Sequence, residues 1–248
     1  MTKRVALAGA RGRLGSVIAD VVRNTDGFEL VLELGSADAP DGIREADLLI
    51  DATTIHASKA LVSIAIEAGI PTLIATSGWD AAALADLDEH LRQRGADAPG
   101  VIVVPNFSLG SVLGSRLAAA AAKFFAAVEI IEAHHDRKMD SPSGTAVRTA
   151  ELLSQTREQA GLPPFEAPFG DQEARGQVRD GIPLHSLRLP GVVARQQVIF
   201  GGTGETLTID HLTMSADSYR DGIALALKAL PTSHGLTVGL DSLLGLDS

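Results

Sequence analysis

Val5-Ala6-Leu7-Ala8-Gly9-Ala10-Arg11-Gly12-Arg13-Leu14-Gly15, near the start of the chain, decides the fold class. Val5 to Ala8 is a short continuous apolar run, the pattern of a strand buried on both faces. Beyond it Leu14, Val17, Ile18, Val21 and Val22 recur at helical spacing. Between them Gly9, Gly12 and Gly15 form a G-x-x-G-x-x-G turn. Glycine lets the backbone turn tightly and approach a phosphate, and the start of the next helix offers free N–H groups. The arrangement is a variant of the dinucleotide fingerprint. Gly9, Ala10, Arg11, Gly12, Arg13 and Leu14 are therefore candidate cofactor contacts, and Arg11 and Arg13 add charge that suits phosphate. A tight strand-to-helix turn without a ligand would carry the same glycines.

The alternation continues outward. Residues 28–34, 48–50, 72–75 and 101–104 read as strands. His56 to Ala68 reads as a helix closed by Gly69 with Pro71 beyond it, and residues 80–94 as a helix stopped by Gly95. Apolar strands alternating with helices imply a parallel sheet covered on both faces. Ligands in such sheets bind at the carboxyl ends of the strands. Two loops lie there, Ala75-Thr76-Ser77-Gly78 and Val104-Pro105-Asn106-Phe107. Ordinary turn chemistry would also produce them. The fingerprint expects an acid for the ribose hydroxyls near the end of the second strand. Glu33 is the acid in that position, where an exposed strand glutamate would look the same.

The second half has a different rhythm. Residues 109–123 are alanine-rich and helical, 128–132 read as a strand ending at His134-His135, and about 144–160 as a helix. Residues 161–181, rich in Gly and Pro, read as one long loop. Three strands follow, at 182–189, 192–200 and 205–212, the last two joined by Gly201-Gly202-Thr203-Gly204 in the manner of a hairpin. A final helix spans 217–230, ended by Pro231. This half reads as α+β with a mixed or antiparallel sheet.

Composition narrows the function. The chain has 248 residues and a net charge of −10. It contains no long Lys/Arg run, which argues against nucleic acid as a partner. It has no cysteine, which removes disulfides, thiolate metal sites and cysteine nucleophiles, and fits a reducing compartment. No stretch of about 18 apolar residues offers a membrane span. The apolar run before Gly9 is too short for a signal peptide. A soluble, cytoplasmic protein is expected.

The most informative stretch is Glu132-Ala133-His134-His135-Asp136-Arg137-Lys138-Met139-Asp140-Ser141-Pro142-Ser143-Gly144-Thr145-Ala146. Adjacent strand residues face opposite ways, so the two histidines can serve separate roles. Lys138 is close enough in sequence to fold back onto the same pocket. Ser143-Gly144-Thr145 begins a helix whose free N–H groups, with the Thr145 hydroxyl, make a carboxylate cradle. Together these parts describe a site for a small dicarboxylate that must receive a proton. Histidine donates near neutral pH, and lysine does so where burial and neighbours lower its pKa. No metal is expected, because the paired histidines diverge and nothing nearby completes a ligand set.

Here the sequence resembles the 4-hydroxy-tetrahydrodipicolinate reductase family. Its signature, roughly E-x-H-H-x-x-K-x-D-x-P-S-G-T-A, is met at every fixed position from Glu132 to Ala146. The resemblance extends to Gly9–Gly15, Thr76-Ser77-Gly78, Pro105-Asn106-Phe107, Gly181-Ile182-Pro183 with His185, and Gly204-Glu205. It implies reduction with NADH or NADPH in the diaminopimelate and lysine pathway. It implies that His134 is the general acid/base and Lys138 a second proton donor, with His135, Ser143, Gly144 and Thr145 on a substrate carboxylate. It also implies a Rossmann-like dinucleotide-binding domain, residues 1–106 with 217–248, and an α+β substrate-binding and tetramerisation domain with a mixed sheet, residues 107–216. The expected assembly is a homotetramer.

The chain departs from the family pattern in places. The ribose-binding acid often falls where this chain has Leu34 or Gly35, and an arginine common before the last helix is Ala216 here. Alternative readings are an oxidoreductase on another small dicarboxylate, a nucleotide-binding homologue without turnover, and a structural oligomer module. The intact His134, Lys138 and Ser143-Gly144-Thr145 set weighs against the first, the presence of both proton donors against the second, and the three cofactor loops against the third.

Overall fold

The computed structural model describes residues 1–35 and 38–246. In chain order the elements are β1 (Lys3–Ala8), α1 (Arg13–Arg23), β2 (Phe28–Leu34), β3 (Leu48–Asp51), α2 (Ile55–Glu67), β4 (Thr72–Ile74), α3 (Ala81–Arg94) and β5 (Val101–Val103). Then come α4 (Leu109–Ala121), β6 (Ala127–His134), α5 (Gly144–Gln159), β7 (Gln177–Arg179), β8 (Ile182–Arg188), β9 (Ala194–Gly202) and β10 (Glu205–Thr213). The chain ends with α6 (Arg220–Ala229) and β11 (Leu236–Val238). It divides into two compact units, Met1–Leu109 with Ala216–Ser248, and Gly110–Ser215.

The first unit is built on a six-stranded parallel sheet in the order β11-β5-β4-β3-β1-β2. The order reverses between β1 and β3, so a crevice opens beyond the carboxyl ends of those two strands. Apolar spacing places Ile18, Ala19, Val21 and Val22 of α1 in the core. They share it with Val5 and Leu7 of β1 and with Ile223, Ala226 and Leu227 of α6. Each large side chain so buried stabilises the unit by about 1.5–3 kcal/mol. Asp80 caps α3 by accepting from the Ala83 N–H, and Gly95 ends it with a positive φ of 59°.

The second unit carries a five-stranded mixed sheet in the order β10-β9-β6-β8-β7. β6 is parallel to β8, and the other neighbours are antiparallel. Val128, Ile130, Leu184, Val198 and Phe200 face α5 in a second core with Ala146, Ala150 and Leu153. Alternation then sends Ile131, Leu187, Ile199 and Leu212 to the opposite face, where Leu187 and Leu212 are exposed. Buried Arg157 on α5 donates to the carbonyls of Ala122, Phe125 and Pro163, tying the end of α4 to the chain beyond α5.

Two strands are absent from the sequence reading. β7 lies in the stretch read as a loop, and β11 joins the parallel sheet beside β5. Each is a three-residue edge strand, too short to show alternation. The hairpin is also tighter than expected. β9 continues through Gly201 and Gly202, leaving Thr203-Gly204 as the turn. The last helix opens with a 3-10 turn, Ala216–Tyr219, before α6.

Candidate active site

The glycine loop sits at the carboxyl end of β1. Gly9 has φ 84°, and a β-carbon on it would lie 2.3 Å from the Ala52 carbonyl oxygen, just beyond β3. A β-carbon on Gly15 would lie 2.0 Å from the Gly9 carbonyl oxygen. The loop therefore folds onto itself and onto β3 in a way only glycine permits. Gly12 occupies the N-cap of α1 and, having no side chain, takes up none of the first-turn N–H groups of that helix. Such a turn fits a dinucleotide pyrophosphate. Ala10 is buried, and Leu14 packs against the core.

The neighbouring loops are held by a buried carboxylate. Asp51, fully buried at the end of β3, accepts from Ser58 Oγ at 2.5 Å, Thr53 Oγ1 at 2.6 Å and the Thr53 N–H at 3.2 Å. The Thr53 N–H also reaches Thr76 Oγ1 at 2.8 Å, and Trp79 Nε1 donates to Ser58 Oγ at 3.0 Å. Thr76 is thus fixed by the protein, while Ser77 beside it is exposed. In the third loop the Ser108 N–H donates to Asn106 Oδ1 at 2.9 Å. Val104 and Phe107 are buried in the core, which leaves their backbone for any ligand contact. Glu33 is ion-paired with Arg23 of α1. The Gly35 N–H donates to Asp38 Oδ2 at 2.7 Å, and a β-carbon on Gly35 would lie 3.8 Å from the Arg11 guanidinium.

In the second unit, His134 closes β6 and Ser143 opens α5, with Ser143 Oγ accepting from the Ala146 N–H at 3.2 Å. The Lys138 N–H donates to the His135 carbonyl at 3.1 Å, a turn that folds the lysine back. Lys138 Nζ bonds Asp140 at 2.8 Å. Gly144 is exposed and a β-carbon there would meet nothing within 4 Å, so the mouth of the α5 N-terminus is open. Thr145 lies beside it, half-buried. Among the described residues His135 Nδ1 is buried without a hydrogen-bond partner.

Two further residues complete this cluster, and neither was assigned a role from sequence. Glu132 is buried, and its Oε2 lies 2.6 Å from His134 Nδ1. Arg188 at the end of β8 grips the same carboxylate with both terminal nitrogens, at 2.9 and 2.8 Å. The Ser143 N–H adds a fourth contact at 3.2 Å. Glu132 stands in the signature stretch, two positions from His134 and on the same face of the strand. Arg188 lies 56 residues from Glu132, and no local pattern announces it.

Burial works to raise the Glu132 carboxyl, but hydrogen bonds from Arg188, Ser186 and His134 outweigh it and hold it below the usual carboxylate range. Burial, then the charges of Lys138 and Arg188, push His134 below an ordinary histidine against the upward pull of Glu132. Lys138 holds the Asp140 carboxyl low through its hydrogen bond. Among the described residues no His/Cys/Asp/Glu group could hold a metal ion. The arrangement brings together a carboxylate-backed imidazole, an ammonium and an open helix N-terminus, groups that can hold and exchange protons.

The chain matches two parts of one family along nearly its full length. The family described as Dihydrodipicolinate reductase, N-terminus, matches residues 3–107, and Dihydrodipicolinate reductase, C-terminus, matches 110–244. The 4-hydroxy-tetrahydrodipicolinate reductase of Clavibacter michiganensis subsp. michiganensis is 48% identical, over 100% of this chain and 88% of that protein. That of Beutenbergia cavernae is 42% identical, over 99% and 100%. The solved structure of dipicolinate-bound dihydrodipicolinate reductase from Paenisporosarcina sp. TG-14 superposes with a TM-score of 0.84 at 31% identity, over 98% and 99%.

Proposed function

The chain belongs to the dihydrodipicolinate reductase family, and on that premise we propose how its own residues divide the work. It is an NAD(P)H-dependent oxidoreductase of diaminopimelate and lysine synthesis, reducing 4-hydroxy-tetrahydrodipicolinate to tetrahydrodipicolinate with loss of water. The unit Met1–Leu109 with Ala216–Ser248 takes the dinucleotide. Gly9 to Leu14 and the first turn of α1 hold its pyrophosphate, flanked by Ala75-Thr76-Ser77 and the backbone of Val104 to Phe107. Glu33 would have to leave Arg23 to reach a ribose hydroxyl. The unit Gly110–Ser215 takes the dicarboxylate, with one carboxylate on the Ser143-Gly144-Thr145 turn and His135 beside it.

The bound nicotinamide supplies a hydride. The chain supplies the proton that the reduced conjugated system must gain, and it assists departure of the hydroxyl as water. Ionised Glu132 can only accept a hydrogen bond, so His134 Nδ1 carries the hydrogen and proton exchange falls to His134 Nε2. Lys138 Nζ, held by Asp140, is the second donor. Each positioned donor contributes about 10²–10⁴-fold to the rate. The observation that carries this reading is the Glu132–His134 contact beside Lys138 and the open α5 N-terminus.

A homotetramer is the proposed assembly, supported by the sheet face that carries Ile131, Leu187, Ile199 and Leu212 away from the helices. Among the described residues no helix is long and apolar enough to cross a membrane. A cytoplasmic place goes with the biosynthetic role.

The test is nicotinamide absorbance with substrate made in place from pyruvate and aspartate semialdehyde by a synthase, with NADH and NADPH run in parallel. Synthase-dependent oxidation is expected. Cofactor binding without oxidation would instead establish a homologue that lacks this turnover.

A further inference from the structure

Glu132 is the most enclosed ionised group in the second unit, and as a carboxylate it has no proton to give the substrate. Besides a hydrogen bond from Ser186, its contacts are divided. Arg188 takes both oxygens, the Ser143 N–H takes Oε1, and His134 Nδ1 lies on Oε2. Arg188 also donates to the Asp140 carbonyl at 2.6 Å, and Asp140 holds Lys138 Nζ. One guanidinium thus bridges β8, the end of β6 and the loop that carries the second proton donor.

We infer that Glu132 and Arg188 are positioning residues: Glu132 locks the imidazole of His134 as its Nδ1–H tautomer, and Arg188 fixes Glu132 and the Lys138–Asp140 loop in register with it. The physical case rests on what each group can do. A carboxylate in a two-oxygen grip from a planar guanidinium cannot rotate, so its free lone pair points one way. A ring nitrogen at 2.6 Å from that lone pair must be the donor, and the other ring nitrogen is left to exchange protons with substrate. A backing carboxylate fixes tautomer and ring plane in this way wherever histidine acts as acid and base. Without Arg188, Glu132 would be a buried carboxylate free to turn, and the His134 ring would lose its reference.

The charged groups around His134 are Glu132 on its own strand, Arg188 on β8 and Lys138 in the loop, with Asp140 between the two cations. They pull in opposite directions, which gives the test a sign. The inference rests on His134 as the proton-exchanging group, so one readout is independent of turnover.

The experiment is nitrogen NMR of the His134 ring, with pH profiles of kcat, in the wild type, Glu132→Gln and Arg188→Met. The wild type is expected to hold the Nδ1–H tautomer below substrate saturation and without turnover. Glu132→Gln is expected to mix the tautomers, lower kcat about 10–100-fold at unchanged cofactor KM, and move the histidine limb to lower pH. Arg188→Met removes the cation and is expected to move the same limb to higher pH. If either variant fails to fold, the double variant Glu132→Gln/Arg188→Met leaves no unpaired charge and is read for tautomer mixing. An unchanged tautomer with an unmoved limb would overturn the inference even in an active enzyme. A locked wild-type tautomer in an enzyme that does not turn over this dicarboxylate would uphold the positioning and overturn only the assigned reaction.

Discussion

A β-carbon on Gly9 would stand 2.3 Å from the Ala52 carbonyl oxygen, so the turn after β1 is pressed against the end of β3. The contact joins the two strands at which the parallel sheet reverses its order. Gly9→Ala must both adopt φ 84° and push backbone aside. The conformation alone costs about 1–3 kcal/mol. The variant is expected to melt several degrees lower and to bind NADPH at least tenfold more weakly, read by thermal melting and fluorescence titration. A melt and a Kd equal to wild type would contradict the loop assignment.

Asp51 holds two hydroxyls and an amide in the first unit, and Thr53 links it to Thr76. Asp51→Ala leaves buried donors without acceptors, at about 1–3 kcal/mol for each group stranded. Loss of stability by denaturant titration should come with a raised KM for cofactor and a nearly constant KM for the dicarboxylate. A change confined to the dicarboxylate would refute the link from Asp51 to the cofactor loop.

By resemblance, the family's ribose-binding acid falls at Leu34 or Gly35, and Gly35 is the one with room for a side chain. A β-carbon there would be 3.3 Å from the flexible Asp38 carboxylate, so Gly35→Asp fits with a small adjustment. The new carboxylate would accept from a ribose 2′-hydroxyl and repel a 2′-phosphate. The ratio of kcat/KM for NADPH over NADH is expected to fall about tenfold, equal to roughly 1.4 kcal/mol. An unchanged ratio would place the ribose elsewhere.

His134 and His211 are both lowered in the folded protein, with burial the largest cause for each. The unfolded chain then binds more protons than the folded one as pH falls below the ordinary histidine value of 6.5. The stability these groups contribute is full above that value and is lost as pH drops through the folded values. Glu132, also lowered, adds a second loss below its ordinary 4.5. Denaturant midpoints between pH 8 and pH 5 should fall on acidification, and fall less in His134→Gln. A midpoint that rises over this range would reverse the assigned sign.

The glycine loop, the apolar strands and the His134 to Thr145 segment were legible because each is local. A strand, a turn and a helix start all write their chemistry within about ten residues. β7 and β11 were not legible, since three residues at a sheet edge need no apolar face of their own. Arg188 was hidden for another reason. Its partner Glu132 is on a neighbouring strand, and only the β6–β8 register brings them together. Glu132 itself stood in plain view, but a glutamate on a strand reads as exposed until the arginine that buries it is found.

The most direct test of the account is the rate of nicotinamide oxidation by Lys138→Met at saturating dicarboxylate, measured beside its Kd for NADPH. Among the described residues the Lys138 ammonium pairs with Asp140, near the surface, a contact that contributes about 0–1 kcal/mol, so the variant should fold. A fall in kcat of about 10²–10⁴-fold is expected, with NADPH binding unchanged. A kcat equal to wild type, or a loss matched by an equal loss of NADPH binding, would contradict it.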